Sequence, residues 1–478
     1  MGKAENEFVK EITKMEDDFS QWYTDVISKT ELVDYGPVKG TMVIRPYGYG
    51  IWELIQREMD ARFKATGHKN AYFPMFIPES LLKKEAEHVE GFAPEVAWVT
   101  HGGNEELTER LVVRPTSETI ICSMYSKWIQ SWRDLPVLLN QWCNVVRWEK
   151  TTRPFLRTSE FLWQEGHTAH ATAEEAEEET LRMLEVYREF AQNVLAIPVF
   201  VGKKTDKEKF AGAVSTYSME AMMQDGKALQ AGTSHNLGQH FSRVFDIKFL
   251  DRDGQLKYVW QSSWGTSTRM IGGLIMVHGD NRGLVLPPRV APIQAVILPI
   301  AMHKPGVMEK ACELFSLLKN ADIRVELDDR DQSAGWKFNE WEMKGVPLRI
   351  EVGPKDIENS QVTVVRRDTL EKGVLPMDGL IRSVAALLDE VQVGLYNKAL
   401  AYREAHTVDA ADMKGLARAI NDGCFVHTHW CGSRACEDSI KAETNATIRN
   451  IPFNHDTSGR CVYCNAPNSM EVYIARAY

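Results

Sequence analysis

The sequence has no long hydrophobic run and few cysteines. Its 478 residues contain no stretch of about eighteen consecutive apolar residues, which a membrane-spanning helix requires. The opening segment MGKAENEFVKEITKMEDDF is charged throughout and lacks the apolar core of a secretion signal. Only eight cysteines are present, and four stand alone at 122, 143, 312 and 424, unlike a disulfide framework. We therefore expect a cytoplasmic protein without disulfides and without a membrane partner.

An excess of positive charge is also absent, since the formal net charge is -10. This excludes a uniformly basic nucleic-acid binder, because such proteins neutralise phosphates with Lys and Arg. Overall charge says little about a local patch on one domain. Any nucleic-acid partner must therefore meet a restricted surface. Internal repeats and low-complexity tracts are absent as well.

The length of the chain and the changes in residue pattern along it predict three domains. The first ends at the Pro-Pro pair of GLVLPPRVAP, a strong break in any regular element. The segments QAVILPI, IRVELDD and PLRIEVG that follow alternate with helical patterns, which is typical of a parallel or mixed sheet. The last eighty or so residues carry two cysteine pairs. We expect domain bounds of 1–287, 288–395 and 396–478.

Several elements of the first domain can be predicted from periodicity. Apolar residues recur at helical spacing over 51–63, and residues 172–193 form a second amphipathic pattern that opens with a capping box. AYFPMFIP is strand-like, with prolines that suit a sheet edge. LVVRPTSETIIC indicates a strand that turns into a helix capped by Thr116 or Ser117. LNQWCNVVRWE indicates a strand, and STRMIGGLIMVHGD a helix.

Two cysteine pairs near the end of the chain indicate a metal site. Cys431 and Cys436 are separated by four residues, Cys461 and Cys464 by two, and 24 residues lie between the pairs. Two close pairs in a cytoplasmic chain suit a tetrahedral Zn2+ site with four thiolates, which would be structural because no ligand position stays open. Four ordinary buried thiols are the alternative. Three nearby histidines that could replace a sulfur keep the ligand set open: His427, His429 and His455.

The segment RWEKTTRPFLRTSEFLWQEGH gathers arginines, carboxylates and aromatic rings. Arg147 follows an apolar strand, and a rigid guanidinium suits bidentate phosphate contact. Glu149 is two residues on, so a simple salt bridge across the sheet is the alternative for this pair. Trp163, Glu165 and His167 alternate on the returning strand and share one face. Carboxylate and ring together suit a cationic ligand with an apolar body.

The order of these motifs resembles the class II aminoacyl-tRNA synthetases. The helix before Pro74 is similar to motif 1, VVRWE and its loop to motif 2, and WGTSTRMIGGLIMVHGD to motif 3, with Arg269 as its arginine. RPTSE, FLRTSEFLWQEGHTAH, KFAGA, LQAGTSHNLGQ, SSWG and VLPPRVAPIQ resemble the prolyl-tRNA synthetases in particular, over essentially the whole chain. The resemblance implies an α+β multidomain protein. Its parts would be a catalytic domain on an antiparallel sheet, an α/β anticodon-binding domain and a small zinc-binding α/β domain.

The resemblance also implies roles for individual residues. Arg147 would bind the α-phosphate of ATP beside the amino-acid carboxylate, and Arg269 the γ-phosphate. The rest of the ATP site would comprise Glu149, Arg157, Thr158, Gln230 and Thr233. The proline pocket would comprise Thr116, Glu118, Trp163, Glu165, His167, Phe210, His235 and Ser263, with Arg147 at its edge. Without the resemblance, Phe210 and Ser263 are equally compatible with structural roles.

The implied reaction activates L-proline with ATP and passes the prolyl group to tRNA(Pro). The carboxylate of proline is already a nucleophile, so positioning by arginines and charge neutralisation by Mg2+ suffice for the first step. Only about a hundred residues separate His167 from Arg269, which leaves no room for an inserted editing domain. In this respect the chain resembles the archaeal and eukaryotic type, in which the carboxylate of a terminal tyrosine, here Tyr478, would lie toward the active site. A frayed tail is the alternative.

The second domain would read the anticodon. Glu342, Arg349 and Lys355 have the side chains needed to recognise guanine edges and phosphates in a single-stranded loop, although surface charges on a sheet would look the same. Motif 1 implies a homodimer. Three other functions stay open: activation of cysteine on the same scaffold, an inactive synthetase-like binding subunit, and a metal-binding nucleic-acid module that would explain only the last eighty residues.

Overall fold

A long mixed sheet organises the molecule. The computed structural model describes residues 11–86 and 95–478, so the first ten residues of the charged opening segment lie outside it. Within the described residues, eleven strands form this sheet in the order β20-β21-β23-β22-β9-β10-β11-β14-β8-β7-β3, with bounds given below. Only the β20–β21 and β3–β7 pairs are parallel; the other pairs are antiparallel. The antiparallel sheet expected for the first domain is confirmed.

The first domain combines helices with most of this sheet. Its helices are α1 Phe19–Lys29, α2 Pro46–Ala65, α3 Glu79–Ala86, α4 Glu118–Trp128, α5 Ala173–Asn193, α6 His240–Val244 and α7 Arg269–His278. Its strands are β1 Val33–Tyr35, β2 Met42–Ile44, β3 Lys69–Asn70, β4 Phe76–Pro78, β5 Ala97–Gly102, β6 Glu105–Val113, β7 Val137–Val146, β8 Glu160–His170, β9 Val199–Lys203, β10 Ser215–Met222, β11 Ala228–Gly238, β12 Lys248–Leu250, β13 Leu256–Tyr258 and β14 Trp260–Ser267.

The second domain has a five-stranded mixed sheet in the described residues, in the order β16-β15-β17-β18-β19. Its elements are β15 Ala295–Pro299, α8 Val307–Lys319, β16 Val325–Leu327, α9 Ala334–Met343, β17 Leu348–Val352, α10 Pro354–Glu358, β18 Gln361–Arg366, β19 Lys372–Pro376 and α11 Leu380–Ala405. The β15 strand pairs in parallel with β16 and β17, while β18 and β19 are antiparallel, as the alternating pattern predicts. Residue 395, the expected end of this domain, lies inside α11.

The last domain extends the sheet of the first. Its elements are β20 Thr407–Asp409, α12 Met413–Asn421, β21 Phe425–Trp430, α13 Arg434–Thr444, β22 Thr447–Pro452 and β23 Met470–Ala475. Its strand β22 pairs with β9 of the first domain. A buried ion cluster lies beside this junction, where Glu220 accepts from Lys204 at 2.8 Å and from Arg449 at 2.8 and 3.1 Å. The last domain is therefore continuous with the first.

The main core lies between the sheet and helices α1, α2, α5 and α7. Trp264 of β14 is central to it, with Phe63 and Tyr187 rings at 5.0 and 6.2 Å between centroids. Gly166 lies directly across the ladder from Trp264. A Cβ at Gly166 would stand 2.1 Å from the Trp264 ring, so only glycine allows this packing.

The elements predicted from periodicity are mostly present, with three local corrections. The segment AYFPMFIP is a strand only over Phe76–Pro78, at the edge of a small sheet. Strand β7 ends at Val146, so Arg147 and Glu149 lie beyond it in the loop. Ser117 is the N-cap of α4, but its hydroxyl donates to Glu165 instead of capping the helix. All eight cysteines are free thiols, as expected.

Substituting Gly166 by alanine should destabilise the first domain. Because the new methyl group collides with Trp264 in a close-packed core, we expect a loss of about 1–3 kcal/mol in the free energy of unfolding. Urea denaturation followed by tryptophan fluorescence measures it. Gly335→Ala is the control, since open space surrounds Gly335 on α9 and alanine favours a helix. Equal midpoints for Gly166→Ala and the unsubstituted protein would contradict the packing described here.

Candidate active site

A cavity of about 360 Å3 opens on the face of the sheet formed by β8, β11 and β14. All fifteen residues that the sequence assigned to the ATP site and the proline pocket line it. The structure therefore brings together side chains that are up to 153 positions apart in the sequence, from Thr116 to Arg269. Their individual roles stay predictions.

Strand register explains why these side chains meet. One row across the ladder runs Thr216, His235, Ser263 and His167, through β10, β11, β14 and β8. The neighbouring row, two residues along each strand, runs Ser218, Thr233, Gly265 and Glu165. Residues two apart on a strand point to the same face, so both rows face the cavity side of the sheet.

The carboxylate of Glu165 is buried and accepts hydrogen bonds from several neighbouring groups. It accepts from the Ser117 hydroxyl and from the Ser117 backbone N–H at 3.2 Å. It also accepts from Gln141 Nε2 at 3.0 Å and lies 2.9 Å from His167 Nε2. A buried charge needs such partners, because desolvation otherwise forces it to neutralise. Glu165 is therefore held as an anion, and its pKa is lowered although burial alone would raise it.

The pKa values of the two histidines of the cavity are shifted in opposite directions. Burial alone would lower the pKa of His167, but the hydrogen bond and charge of Glu165, helped by Glu118, raise it overall. Burial, with the nearby charge of His167, lowers the pKa of His235 to about 3. His235 is thus neutral at pH 7; its Nδ1 lies 2.9 Å from the Thr216 hydroxyl and its ring lies 4.8 Å from Phe210.

Three guanidinium groups gather at the other end of the cavity. Burial, and the charges of Arg157 and Arg147, lower the pKa of Arg269 to about 10. Arg269 Nε donates to the Leu156 carbonyl at 2.9 Å, and Arg147 Nε donates to the Pro115 carbonyl at 3.0 Å. Each contact fixes one edge of a guanidinium. Mutually repelling cations held in place form a site for a multiply charged anion.

Arg147 is close to the carboxylates of the cavity as well as to Arg269. Its guanidinium is 5.4 Å from the Trp163 ring and 5.5 Å from the Phe161 ring. Burial lowers the pKa of Arg147, and the charges of Glu118 and Glu165 partly offset this effect. An arginine stacked on two aromatic rings has few alternative rotamers, so it presents a preorganised donor fork to the cavity.

Two further features shape the floor of the cavity. A bulge in β11 places Gln230 opposite Glu220 and Gly232 opposite Met219, so that Ala231 is extra. Such a bulge re-aims the following side chains. The Ser263 hydroxyl is buried and has no hydrogen-bond partner among the described residues, although it lines the cavity. A buried polar atom without a partner at a cavity wall indicates a place where a ligand or water binds.

Sequence reasoning missed several residues of this site. Phe161 alternates with Trp163 on β8, and that spacing could have revealed it. Ser117 and Gln141 hold Glu165 from behind and left no signal in the sequence, since their contacts are long-range. The cavity wall also includes Phe155, Leu156, Glu208, Thr216, Ala231, Gly232, Trp264, Gly265, Thr266 and Ser267.

The four predicted cysteines converge in the last domain. The sulfur atoms of Cys431, Cys436, Cys461 and Cys464 all lie within 4.8 Å of one another. Two of the separations are 3.6 and 3.7 Å. A tetrahedral site with Zn–S bonds of about 2.3 Å has sulfur–sulfur edges of about 3.8 Å, so the arrangement fits one Zn2+.

The neighbouring histidines do not join the cysteine cluster. Nitrogens of His427 lie 2.6 Å from Asp409 and 2.6 Å from Glu471, and His455 Nδ1 lies 3.2 Å from the Pro452 carbonyl. His429 is nearest to Asp456, at 3.7 Å. In the part of the chain that the structure describes, the metal-ligating group contains cysteine alone.

The predicted anticodon residues all lie on the second domain, and two of them, Glu342 and Arg349, are in contact. Glu342 ends α9, Arg349 is on β17 and Lys355 on α10. Arg349 donates to Glu342 at 2.8 Å and to Glu351 at 3.1 Å. Glu342 and Arg349 also line a small cavity with Arg367. Arg349 thus uses Nε and Nη1 for these two ion pairs.

Tyr478 packs against the first domain, so a frayed tail is wrong. Its backbone N–H donates to the Ala228 carbonyl at 3.1 Å, and its hydroxyl donates to Asp225 at 2.6 Å. The Arg153 guanidinium, from the loop that also carries Arg157, lies 5.6 Å from its ring.

Three protein-family models match the chain. The model described as tRNA synthetase class II core domain (G, H, P, S and T) matches residues 98–278, and Anticodon binding domain matches residues 294–387. The model described as Prolyl-tRNA synthetase, C-terminal, matches residues 413–478, which include the four cysteines.

Similar proteins match the chain over its full length. A protein of Alkaliphilus oremlandii (strain OhILAs) named Proline--tRNA ligase is 65% identical over 482 residues, covering 100% of both chains. One of Clostridioides difficile (strain 630), named Proline--tRNA ligase 2, is 62% identical over 481 residues, again covering 100% of both. The chain belongs to the prolyl-tRNA synthetase family. It is therefore an aminoacyl-tRNA synthetase, a ligase with a class II core.

A third similar protein also matches nearly the whole chain. A relative from Bacillus cereus (strain ATCC 14579) named Proline--tRNA ligase 2 is 58% identical over 474 residues, covering 99% of both chains. Within the described residues, the synthetase has no helix that is both long and apolar enough to cross a membrane.

Replacing Glu165 by glutamine should change stability in a pH-dependent way. The raised pKa of His167 stabilises the fold below the unfolded-state value of about 6.5, and this stabilisation is lost as the pH rises through the native value. The Glu165→Gln substitution removes most of this increase in the pKa of His167. We expect the variant's loss in free energy of unfolding to be larger near pH 6 than near pH 9, by about 1.4 kcal/mol for each pKa unit.

Urea denaturation at the two pH values measures this difference. Glu160→Gln, at the exposed start of the same strand, is the control and should show equal effects at both. A loss for Glu165→Gln that does not change with pH would show that Glu165 does not set the charge of His167.

Proposed function

We propose that this proline–tRNA ligase forms prolyl-adenylate in the cavity on the β8–β11–β14 face, and then passes the prolyl group to tRNA(Pro). The single observation that carries the proposal is that carboxylates and guanidinium groups line one cavity: Glu118 and Glu165 with Arg147, Arg157 and Arg269. The carboxylates suit the ammonium of proline, and the guanidinium groups suit the phosphates of ATP.

In the proposed pocket, carboxylates hold the secondary ammonium of proline and aromatic rings enclose its ring. Glu165 is kept ionised by its four donor contacts. Trp163, Phe210 and neutral His235 supply apolar walls, and neutral His235 adds no positive charge to repel the ammonium. The unpartnered Ser263 hydroxyl supports a ligand at this wall. Thr116, whose hydroxyl donates to Glu118, completes the acidic end.

For adenylate formation, the cavity positions two anions that would otherwise repel each other. Arg147 contacts both the proline carboxylate and the α-phosphate in this proposal, and Arg269 takes the γ-phosphate. Glu149, Arg157, Thr158, Gln230 and Thr233 hold the remainder of ATP. Mg2+ enters with ATP and neutralises phosphate charge. The carboxylate then attacks the α-phosphorus and pyrophosphate leaves, so no general base is required.

The other two domains serve the tRNA and the fold. We propose domain bounds of 1–287, 288–395 and 396–478, with Glu342, Arg349 and Lys355 reading the anticodon. In the last domain, the spacing of the four cysteines supports structural Zn2+. The cytoplasm is the proposed location, because tRNA charging takes place there and the eight thiols are free.

We propose that the chain works as a homodimer. Large aromatic side chains are exposed on elements that flank motif 1 along the chain, including Tyr35 at 73% and Tyr72 at 72% exposure. Phe76 and Trp98 are also exposed there. Tyr and Trp rings of this kind are enriched at protein interfaces, where they contribute area at low entropic cost.

Arg147→Ala should abolish activation while leaving the fold intact. Removing a donor that stabilises the transition state typically lowers the rate by about 10²–10³-fold, and Arg147 contacts both reactants in the proposal. Proline-dependent ATP–pyrophosphate exchange measures the effect. Arg133→Ala, a guanidinium stacked on Trp132 outside the cavity, is the matched control. Near-normal exchange by Arg147→Ala would overturn the assignment.

Exchange assays with each of the twenty amino acids test the substrate. We expect strong exchange with proline. Exchange with no amino acid would favour the reading as a binding subunit, and preference for cysteine would favour the alternative substrate.

Cys461→Ser should lose bound Zn2+. Cys461 is buried in the four-sulfur cluster, and three thiolates with a hydroxyl hold the ion more weakly. Elemental analysis of the purified protein measures metal per chain. Cys312→Ser, which removes an exposed thiol in another domain, should keep the metal content of the unsubstituted protein. One full equivalent of Zn2+ in Cys461→Ser would count against a site of four thiolates.

A further inference from the structure

The segment after the motif 3 helix α7 is clasped by the anticodon-binding domain. Arg367 donates to both carboxylate oxygens of Asp280, at 2.6 and 2.8 Å. Arg282 donates to Glu342 at 2.9 Å. Two backbone bonds add to these contacts: Leu284 N–H donates to the Met343 carbonyl at 2.9 Å, and Leu286 N–H to the Gly345 carbonyl at 3.2 Å. We call residues 280–286 and their four partners in the anticodon-binding domain the clasp.

The clasp leaves little space for adjustment. Gly283 has φ +122, and a Cβ there would stand 2.5 Å from the Met343 carbonyl oxygen. The turn closes on itself, since Asp280 and Gly283 exchange backbone hydrogen bonds at 3.0 and 3.1 Å. Because this close contact involves backbone atoms, a shift of Met343 at the end of α9 displaces the backbone of the turn. A change of side-chain rotamer cannot absorb the shift.

Glu342 belongs to both the clasp and the proposed anticodon site. One of its oxygens accepts from Arg282 at 2.9 Å and the other from Arg349 at 2.8 Å. Arg367 likewise lines the small cavity with Glu342 and Arg349 while it holds Asp280. Each carboxylate oxygen can accept more than one hydrogen bond, so a base edge that donates to Glu342 shares the carboxylate with Arg282 and Arg349 and weakens their contacts.

The other end of α7 carries Arg269. The helix spans ten residues, so its ends are about 15 Å apart. Its middle is tightly packed, because a Cβ at Gly272 would stand 2.5 Å from Leu156, the residue whose carbonyl accepts from Arg269. Behind the turn, Trp22 Nε1 donates to the Asp280 carbonyl at 2.9 Å. A short, close-packed helix moves as one body.

We infer that Asp280, Arg282 and Arg367 are positioning residues that couple anticodon recognition to the placement of Arg269. This inference rests on the proposed reading of the anticodon by Glu342 and Arg349. When an anticodon guanine donates to Glu342, the contact between Arg282 and Glu342 weakens. The Arg367–Asp280 ion pair then determines the position of the turn. Through α7, the position of the turn determines that of the Arg269 guanidinium. The cognate anticodon thereby favours one arrangement of the ATP site.

The coupling has a thermodynamic basis in differential contacts. RNA bound at Glu342 interacts differently with the two arrangements of the clasp, so it shifts their populations. By linkage, ligands in the ATP site must change the affinity for the anticodon loop by the same factor. A clasp that only joins two domains would show neither effect.

The test compares aminoacylation of tRNA(Pro) with that of a transcript in which the anticodon guanines are replaced. For the unsubstituted synthetase, we expect the replacement to weaken tRNA binding and to lower kcat by roughly tenfold, within the range of known couplings. In Arg282→Gln, the effect on Kd should stay while the effect on kcat falls to about twofold or less. Asp280→Asn, which releases Arg367, should behave in the same way.

Two controls separate coupling from loss of structure. The urea midpoint of unfolding should be nearly unchanged in Arg282→Gln, because its side chain is 56% exposed and exposed ion pairs contribute little to stability. Lys310→Gln removes an equal charge from an ion pair with Glu313, within the anticodon-binding domain and away from the clasp. It should keep the full anticodon effect on kcat.

The outcomes distinguish this inference from the function on which it rests. If both clasp variants keep the tenfold effect on kcat, the inference is wrong, while anticodon reading by Glu342 stands. If the ratio of Kd values for the two transcripts is the same in Glu342→Gln as in the unsubstituted synthetase, Glu342 does not read the anticodon. The proposed coupling would then lack the contact from which it begins. Loss of the kcat effect in the clasp variants alone supports the inference.

Discussion

The buried carboxylate of Glu165 is the constraint on which the site depends. An ion in this position is stable only if the protein replaces its water shell, and the replacement comes from three separate elements. Ser117 at the start of α4, Gln141 on β7 and His167 on β8 all turn toward it. The same Gln141 accepts from the Phe73 backbone N–H at 2.5 Å. The hydrogen bonds to this one carboxylate therefore fix the relative positions of several elements around the cavity.

This constraint explains why Ser117 departs from ordinary capping. A serine at an N-cap usually accepts from a helix N–H and contributes about 1 kcal/mol. Here its hydroxyl donates to Glu165, since leaving a buried carboxylate without that donor costs more than an unfilled cap. The local rule gives way to the demand of a buried charge. Such exceptions concentrate at functional sites.

The sequence sufficed for most of the elements and for the alternation of residues along a strand, because such patterns are local. The helix over 172–193 and the alternating wall of Trp163, Glu165 and His167 are examples. It did not suffice for residues that act through long-range register. The residues next to Gln141 or Phe161 in the sequence do not indicate which residue lies opposite on the neighbouring strand. Likewise, Ser263 lies opposite both His235 and His167 only because of the register of three strands.

The domain division shows the same limit more strongly. A change in the residue pattern along the sequence marks where a new set of helices and strands begins. Which segments are stabilised together depends instead on buried ion pairs and on strand pairing. Arg449 lies in the last domain, but its guanidinium shares Glu220 with Lys204 of the first. Glu220 faces Gln230 across the ladder, and its charge acts to raise the pKa of Arg269. The last domain thus contributes to the electrostatic balance around Arg269, so its removal would alter the cavity as well as the fold.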